Sequence, residues 1–194
     1  LLSNIFLECV VAPSFDKDAL KILHNKKNLR LLQLNKENIK KDNESTFKSI
    51  LGGILEQDID NEVDQTNEWS CVTQIKPISE EFNDLRFSWK ICKHVKSNAI
   101  VISKNQQTIG IGAGQMNRVG AAKIALDSAK DSAHGAVLAS DGFFPFSDSV
   151  EIANQYGIKS IIQPGGSVRD QESIDMCNEL GISMIFTNKR HFLH

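Results

Sequence analysis

The sequence has little with which to hold a metal or a disulfide framework. Its four cysteines, Cys9, Cys71, Cys92 and Cys177, are scattered, with no Cys-x-x-Cys spacing. That argues against a zinc cage and a disulfide scaffold, and it suits a reducing compartment. His24, His94, His134, His191 and His194 make no metal-ligand spacing either. There is no basic excess: the formal net charge is −2, so nothing argues for a nucleic-acid partner. No apolar run is long enough to span a bilayer, and the opening residues lack the pattern of a signal peptide. A cytoplasmic protein with neither membrane nor nucleic-acid partner is expected. No Ser-His-Asp order, His-Glu-x-x-His or nucleophile elbow is present.

What is there is a chain of 194 residues, enough for one sizeable core or two small ones. It opens without Met, inside an apolar stretch from Leu1 to Val11 that reads as a strand in mid-fold. A piece of something longer is the expectation. Asp16 is placed to cap a helix running to about Asn25, and Asn28 to Leu34 reads as a second strand. Such a β-α-β unit closes with parallel strands. Residues 35–45 are rich in lysine, asparagine and glutamate, as a solvated loop would be. Thr46 to Leu55 adds a strand bent at Gly52-Gly53, Glu56 to Trp69 reads as surface, and Cys71 to Ile75 as a short strand. A helix from Ser79 to about His94 carries Phe82, Leu85, Trp89 and Cys92 inward.

The second half is more regular. Residues 99–103 and 108–111 form a hairpin, followed by a helix over 117–131. Two further strand–helix units follow, with strands at 135–139 and 158–163 and helices at 148–156 and 170–180, before a last strand at 182–186. The predicted class is α/β, a mostly parallel sheet with helices on both faces.

In open α/β sheets, ligands bind beyond the carboxyl ends of the strands. Ser140-Asp141-Gly142-Phe143-Phe144-Pro145-Phe146-Ser147-Asp148 is such a strand-to-helix loop, and it holds three phenylalanines and two aspartates. The rings can wall a site for a flat ligand while Asp141 and Asp148 accept its N–H groups. Alternatively the rings cap the core and the aspartates cap the turn. Gly110-Ile111-Gly112-Ala113-Gly114 invites a dinucleotide reading, but its spacing is not Gly-x-Gly-x-x-Gly. Arg118, in the next helix's first turn, is either an anion ligand or a surface arginine. Pro164-Gly165-Gly166-Ser167 is a ligand loop or a tight turn, with no Walker-type Gly-Lys-Ser/Thr after it. Asn98 carries both donors and an acceptor, and Lys189 to His194 is a basic end.

Five runs in order carry a resemblance: Lys96 to Val101, Gly110 to Arg118, Ser140 to Phe146, Gln163 to Ser167, and Arg190 to His194. Val11 to Phe15 and Lys27 to Leu32 extend it over essentially the whole chain. Together they resemble the C-terminal part of the bifunctional purine biosynthesis family. That family joins an inosine monophosphate (IMP) cyclohydrolase to an aminoimidazole carboxamide ribonucleotide (AICAR) formyltransferase. The resemblance implies a cytidine-deaminase-like topology without zinc and active sites at a homodimer interface. It also implies formyl transfer from 10-formyltetrahydrofolate to the 5-amino group of AICAR. Residues 1–194 would be the C-terminal part of the formyltransferase domain, with a possible subdivision near 76–95 and the cyclohydrolase domain absent.

By the same resemblance Asn98 orients the amine and the formyl carbonyl. Phe143 lines the AICAR and folate site, Asp148 binds the pterin edge, Arg118 reaches the folate's anionic part, and Arg190 pairs with the nucleotide phosphate. A monovalent cation, K+ for example, is implied near Ser97 and Asp141. The family's catalytic Lys-His pair is expected upstream of Leu1. Gly142 and Ser147 stand where the family commonly has Ala and Arg, and Ser147 removes a charge beside Asp148. The alternatives are a non-catalytic ligand-binding or dimerisation module and, on the glycines at 110–114 alone, a nucleotide-binding oxidoreductase. Formyl transfer by the isolated chain is expected to be absent or nearly so; measurable turnover with AICAR and the formyl-folate would refute that.

Overall fold

Two units make up the chain, Leu1–Ile59 and Asp60–His194. The computed structural model describes residues 2–35, 45–61 and 65–194. The division falls between Ile59 and Asp60, and the helix Ser79–Cys92 packs on the sheet of the second unit.

In the first unit, Leu2–Asn4 is a 3-10 turn, so the opening strand is shorter than expected: β1 is Cys9–Ala12. Asp16 caps helix α1 (Lys17–Leu23), its carboxylate accepting from the Ala19 N–H at 2.6 Å. Strand β2 (Arg30–Gln33) pairs parallel to β1, as the β-α-β reading predicts. The single bent strand expected at 46–55 is instead two, β3 (Ser45–Ile50) and β4 (Gly53–Asp58). The reversal lies at Leu51-Gly52, where Gly52 takes φ 80°. The solvated loop expected at 35–45 lies, over 36–44, outside the described residues.

The second unit is a six-stranded sheet with helices on both faces. Its strands are β5 (Ser70–Cys71), β6 (Ile100–Lys104), β7 (Gln107–Gly112), β8 (Val137–Ser140), β9 (Ser160–Gln163) and β10 (Ser183–Phe186). Their spatial order is β5-β10-β9-β8-β6-β7. Each central strand is buried on both faces, and alternate residues feed different layers. Ile100, Ile102, Leu138, Ile161 and Met184 meet α3 (Arg118–Ala129), α4 (Asp148–Gln155) and α5 (Asp170–Leu180) on one side. Val101, Val137, Ala139, Ile162 and Ile185 meet α2 (Ser79–Cys92) on the other, around Leu85 and Trp89.

The sheet is mixed, which corrects the expectation of a mostly parallel one. β8-β9 and β9-β10 are parallel, whereas β6-β7, β6-β8 and β5-β10 are antiparallel. The cause is the hairpin. Asn105 and Gln106, at φ 53° and 54°, make a two-residue turn that reverses the chain, and Asp84 on α2 accepts both of their N–H groups. Helix α3 then returns the chain to start β8 on the far side of β6. β7 to β10 therefore share one direction, and β5 and β6 oppose it.

The Gly110-Ile111-Gly112 run is explained by packing. A Cβ at Gly110 would strike the Ala125 carbonyl oxygen, and one at Gly112 the Ala121 carbonyl oxygen, both in α3. These glycines let the helix backbone lie directly on the edge strand, which removes the only support for the nucleotide-binding oxidoreductase. Gly112→Ala is expected to cost about 1–3 kcal/mol through overpacking. A lowered urea midpoint is the readout, and an unchanged midpoint would contradict so close a seating.

Candidate ligand site at one end of the sheet

The carboxyl ends of β7 to β10 and the amino end of β6 lie at the same end of the sheet, and five loops meet there. Main-chain hydrogen bonds join them: Gly114 N–H to the Lys96 carbonyl (2.7 Å), Ser97 N–H to Leu193 (2.9 Å), His191 N–H to Asp141 (3.0 Å) and Asn188 N–H to Pro164 (3.0 Å). The buried Gln163 side chain adds a further link, its Oε1 accepting from the Phe144 N–H at 3.1 Å and the Gly165 N–H at 3.3 Å.

Asp141 is fully buried at the centre of this end. One carboxylate oxygen accepts from Arg118 Nη2 at 2.7 Å and the other from the Ser97 hydroxyl. Arg118 Nε donates to Ser140 Oγ at 2.8 Å, and that hydroxyl donates to the Gly142 carbonyl at 2.7 Å. Asn98 donates from Nδ2 to the Gln115 carbonyl at 2.8 Å, which leaves Oδ1 and the second amide hydrogen for a ligand. Arg190 lies with its Cζ 5.0 Å from the Phe143 ring centroid and 5.9 Å from that of Phe192. Asp148 opens α4, half-buried, and its Oδ1 accepts from the Ser149 N–H at 2.8 Å.

A model of the AICARFT/IMPCHase bienzyme family matches residues 1–128. The chain belongs to that family. It is 66% identical over 193 residues to the bifunctional purine biosynthesis protein PurH of Prochlorococcus marinus subsp. pastoris, covering all of this chain and 37% of that protein. It is 67% identical over 193 residues to PurH of P. marinus strain MIT 9215, with the same coverage. The chain thus spans little more than a third of the length of the curated relatives it matches. Among solved structures, Acinetobacter baumannii RibD (form 2) aligns over 56% of this chain and 35% of its own, at 17% identity and a TM-score of 0.38, too distant to carry an argument.

Of the residues that the bienzyme family resemblance singles out, Ser97, Asn98, Arg118, Asp141, Phe143 and Arg190 gather at this end. The three loop phenylalanines divide. Phe144 is core, Phe143 is half-buried under Arg190, and Phe146 is 48% exposed with Arg169 4.8 Å from its ring. Arg118 is not a free surface arginine, since its side chain is 10% exposed and paired with Asp141. The cation expected at Ser97 and Asp141 does not fit these residues, because the carboxylate's charge is already met by a guanidinium and both its oxygens are engaged. The Pro164–Ser167 loop has Gly165 at φ 72° and Gly166 at 93°, and the Gly166 N–H donates to Asp170 at 2.7 Å. Ser147 occupies the N-cap of α4 but makes no side-chain capping bond.

The two inner thiols are buried, and burial pushes Cys92 well up and Cys177 up to about 12, which favours the protonated form. Among the described residues no group of three or more His, Cys, Asp and Glu could hold a metal. No described helix is long and apolar enough to cross a membrane.

One cluster has no signal in the sequence. His191, 3% exposed, bonds Asp60 through Nδ1 and lies 4.4 Å from the Trp89 ring, centroid to centroid. Lys93 reaches the same carboxylate at 3.0 Å. Partial burial raises the Asp60 pKa, but hydrogen bonds from Lys93 and His191, and their charges, outweigh it, so the net shift is downward from 3.8. A depressed carboxylate pKa contributes stability above the ordinary value and loses it as pH falls through the lowered one. Asp60→Asn is therefore expected to lower the urea midpoint at neutral pH, with the deficit shrinking below pH 3.8. A deficit of constant size through that range would mean that the carboxylate's charge is not what matters.

Proposed function

We propose that this chain is a C-terminal part of the formyltransferase region of a bifunctional purine biosynthesis enzyme. Within that longer protein it serves phosphoribosylaminoimidazolecarboxamide formyl transfer, from 10-formyltetrahydrofolate to the 5-amino group of AICAR, on the route to IMP. Family membership supports the reading. The observation that carries it is the convergence, at one end of the sheet, of the five separate runs that bear the resemblance, bonded to one another through main-chain hydrogen bonds and the Gln163 side chain. The cytidine-deaminase-like topology, a homodimer and a cytoplasmic location belong to the same proposal.

The chemistry sets the demands. The amine is a poor nucleophile, because its lone pair is delocalised into the carboxamide-bearing ring. It adds to the formyl carbon and the carbonyl oxygen takes the negative charge; collapse then breaks the carbon–N10 bond, the amine nitrogen losing one proton and N10 of the departing tetrahydrofolate gaining one. Positioning the amine and stabilising the oxyanion lower that barrier. Asn98 meets both needs, with Oδ1 to orient the amine and an amide hydrogen for the oxyanion. Phe143 supplies an apolar face for a flat ring. Arg190, held over that face, faces the nucleotide phosphate. Asp148 accepts from the pterin edge through its remaining oxygen lone pairs.

In the longer protein, Asn98→Ala is expected to reduce turnover on the order of 100-fold, the scale for losing one oxyanion donor. An unchanged rate would remove Asn98 from the reaction. If neither AICAR nor reduced folate binds that protein, the non-catalytic module takes the place of the formyltransferase.

A further inference from the structure

Gln163 ends β9 with its side chain fully buried, away from any ligand. Its amide is nonetheless engaged at both ends. Nε2 lies 3.4 Å from the Met184 sulfur, and Oε1 accepts from the Phe144 N–H at 3.1 Å and the Gly165 N–H at 3.3 Å. A thioether can only accept, and two backbone N–H groups can only donate, so the amide has one favourable orientation. The Phe144 N–H belongs to the peptide that joins Phe144 to Phe143. That peptide is planar, so holding it fixes the chain where the two rings part. Phe144 goes into the core, and Phe143 stays half-buried with Arg190 over its ring.

The other member of that pair is held from the same place, by main chain. The Gln163 carbonyl accepts from the Thr187 N–H and the Pro164 carbonyl from the Asn188 N–H, both at 3.0 Å. Asn188, at φ 58°, turns the chain out of β10, and Arg190 follows two residues on. The loop that Gln163 opens also runs beside the guanidinium: a Cβ at Gly166 would lie 4.0 Å from Arg190 Nη2. The end of β9 thus grips Phe143 through a side chain and Arg190 through the backbone. Of the two grips, only the first depends on which residue stands at 163.

We propose that Gln163 is the positioning residue for the Phe143–Arg190 pair, setting the aromatic face against the cation from inside the fold. The proposal rests on the formyl-transfer reading for its ligand, since in that reading the pair takes the flat ring and the phosphate of AICAR. Binding, not the chemical step, is what Gln163 then serves, because Asn98 is held by other bonds.

The longer family protein is compared with its Gln163→Leu and Gln163→Asn forms. Gln163→Leu deletes the acceptor and is expected to raise KM for AICAR about 10-fold, with turnover at saturation within about threefold of the parent. It also leaves two buried N–H groups unbonded and can unfold the protein. Gln163→Asn keeps the amide but draws its oxygen back by one methylene, and a rise of about threefold in the AICAR KM is expected of it. A merely structural role would lower the melting temperature and leave KM of the folded protein where it was. An unchanged AICAR KM in either folded variant would therefore overturn the proposal, and so would a fall in turnover alone. A second readout needs no activity: the Nε–H signal of Arg190 in proton–nitrogen NMR of the 194-residue chain, displaced by the rings beside it and identified by its loss in Arg190→Lys. It is expected to move toward the ordinary arginine position in Gln163→Asn, and an unmoved signal would overturn the positioning role. A longer protein without formyl transfer would defeat the formyl-transfer reading alone, and the arginine signal then decides the role of Gln163.

Discussion

A fully buried carboxylate must find its compensation close by, and at this end of the sheet Asp141 is that carboxylate. Removing one partner of such a pair costs about 3–5 kcal/mol, far more than a surface ion pair is worth. The compensation comes from residues remote in sequence: Ser97 before β6 and Arg118 at the start of α3. The first turn of α3 cannot move without leaving a buried charge unpaired, nor the β6 loop without leaving a buried carboxylate oxygen unbonded. The loop that carries Asn98 is thus held by the buried carboxylate as well as by packing, and the one that carries Arg190 by the His191 N–H bond to the Asp141 carbonyl.

Glycine serves three physical purposes at this end of the molecule. At Gly110 and Gly112 it allows a helix backbone to touch a strand. At Gly165 and Gly166 it supplies positive φ in the loop after β9. At Gly142 it leaves room for a guanidinium. A glycine-rich run is often read as a cradle for phosphate, yet here the Gly110–Gly112 run faces Ala121 and Ala125 of its own helix. The missing Gly-x-Gly-x-x-Gly spacing was the sequence's own warning against that reading.

The helices and buried strands were legible because apolar patterning reports burial directly. Strands 158–163 and 182–186, and helix 170–180, are found within a residue or two of the expected bounds. The hairpin and the parallel β1-β2 pair were legible from their connections. That β8 would pair with β6, antiparallel, was not, because the strand that separates β7 from β8 is set by tertiary packing. Local spacing also could not see pairs far apart in the chain. Asp60 and His191 are 131 positions apart, and nothing near either residue marks the other. Nor could local spacing show that Arg118 pairs with a carboxylate 23 positions away.

Sorting polar groups by whether the fold already engages them narrows what can meet a ligand. Ser97, Arg118, Ser140, Asp141 and Gln163 have their main polar atoms committed to neighbours. Asn98 keeps part of its amide, Asp148 one of its two oxygens, and Arg190 the donor edges of a guanidinium whose flat face rests on Phe143. That remainder is a hydrogen-bond donor and acceptor, a carboxylate, a cation and an aromatic face. A flat heterocycle bearing a phosphate, presented beside a ring with N–H groups, needs this combination. The committed groups are the reason these few side chains stay in one arrangement, since a site held by buried, satisfied polar contacts loses little freedom when its ligand arrives.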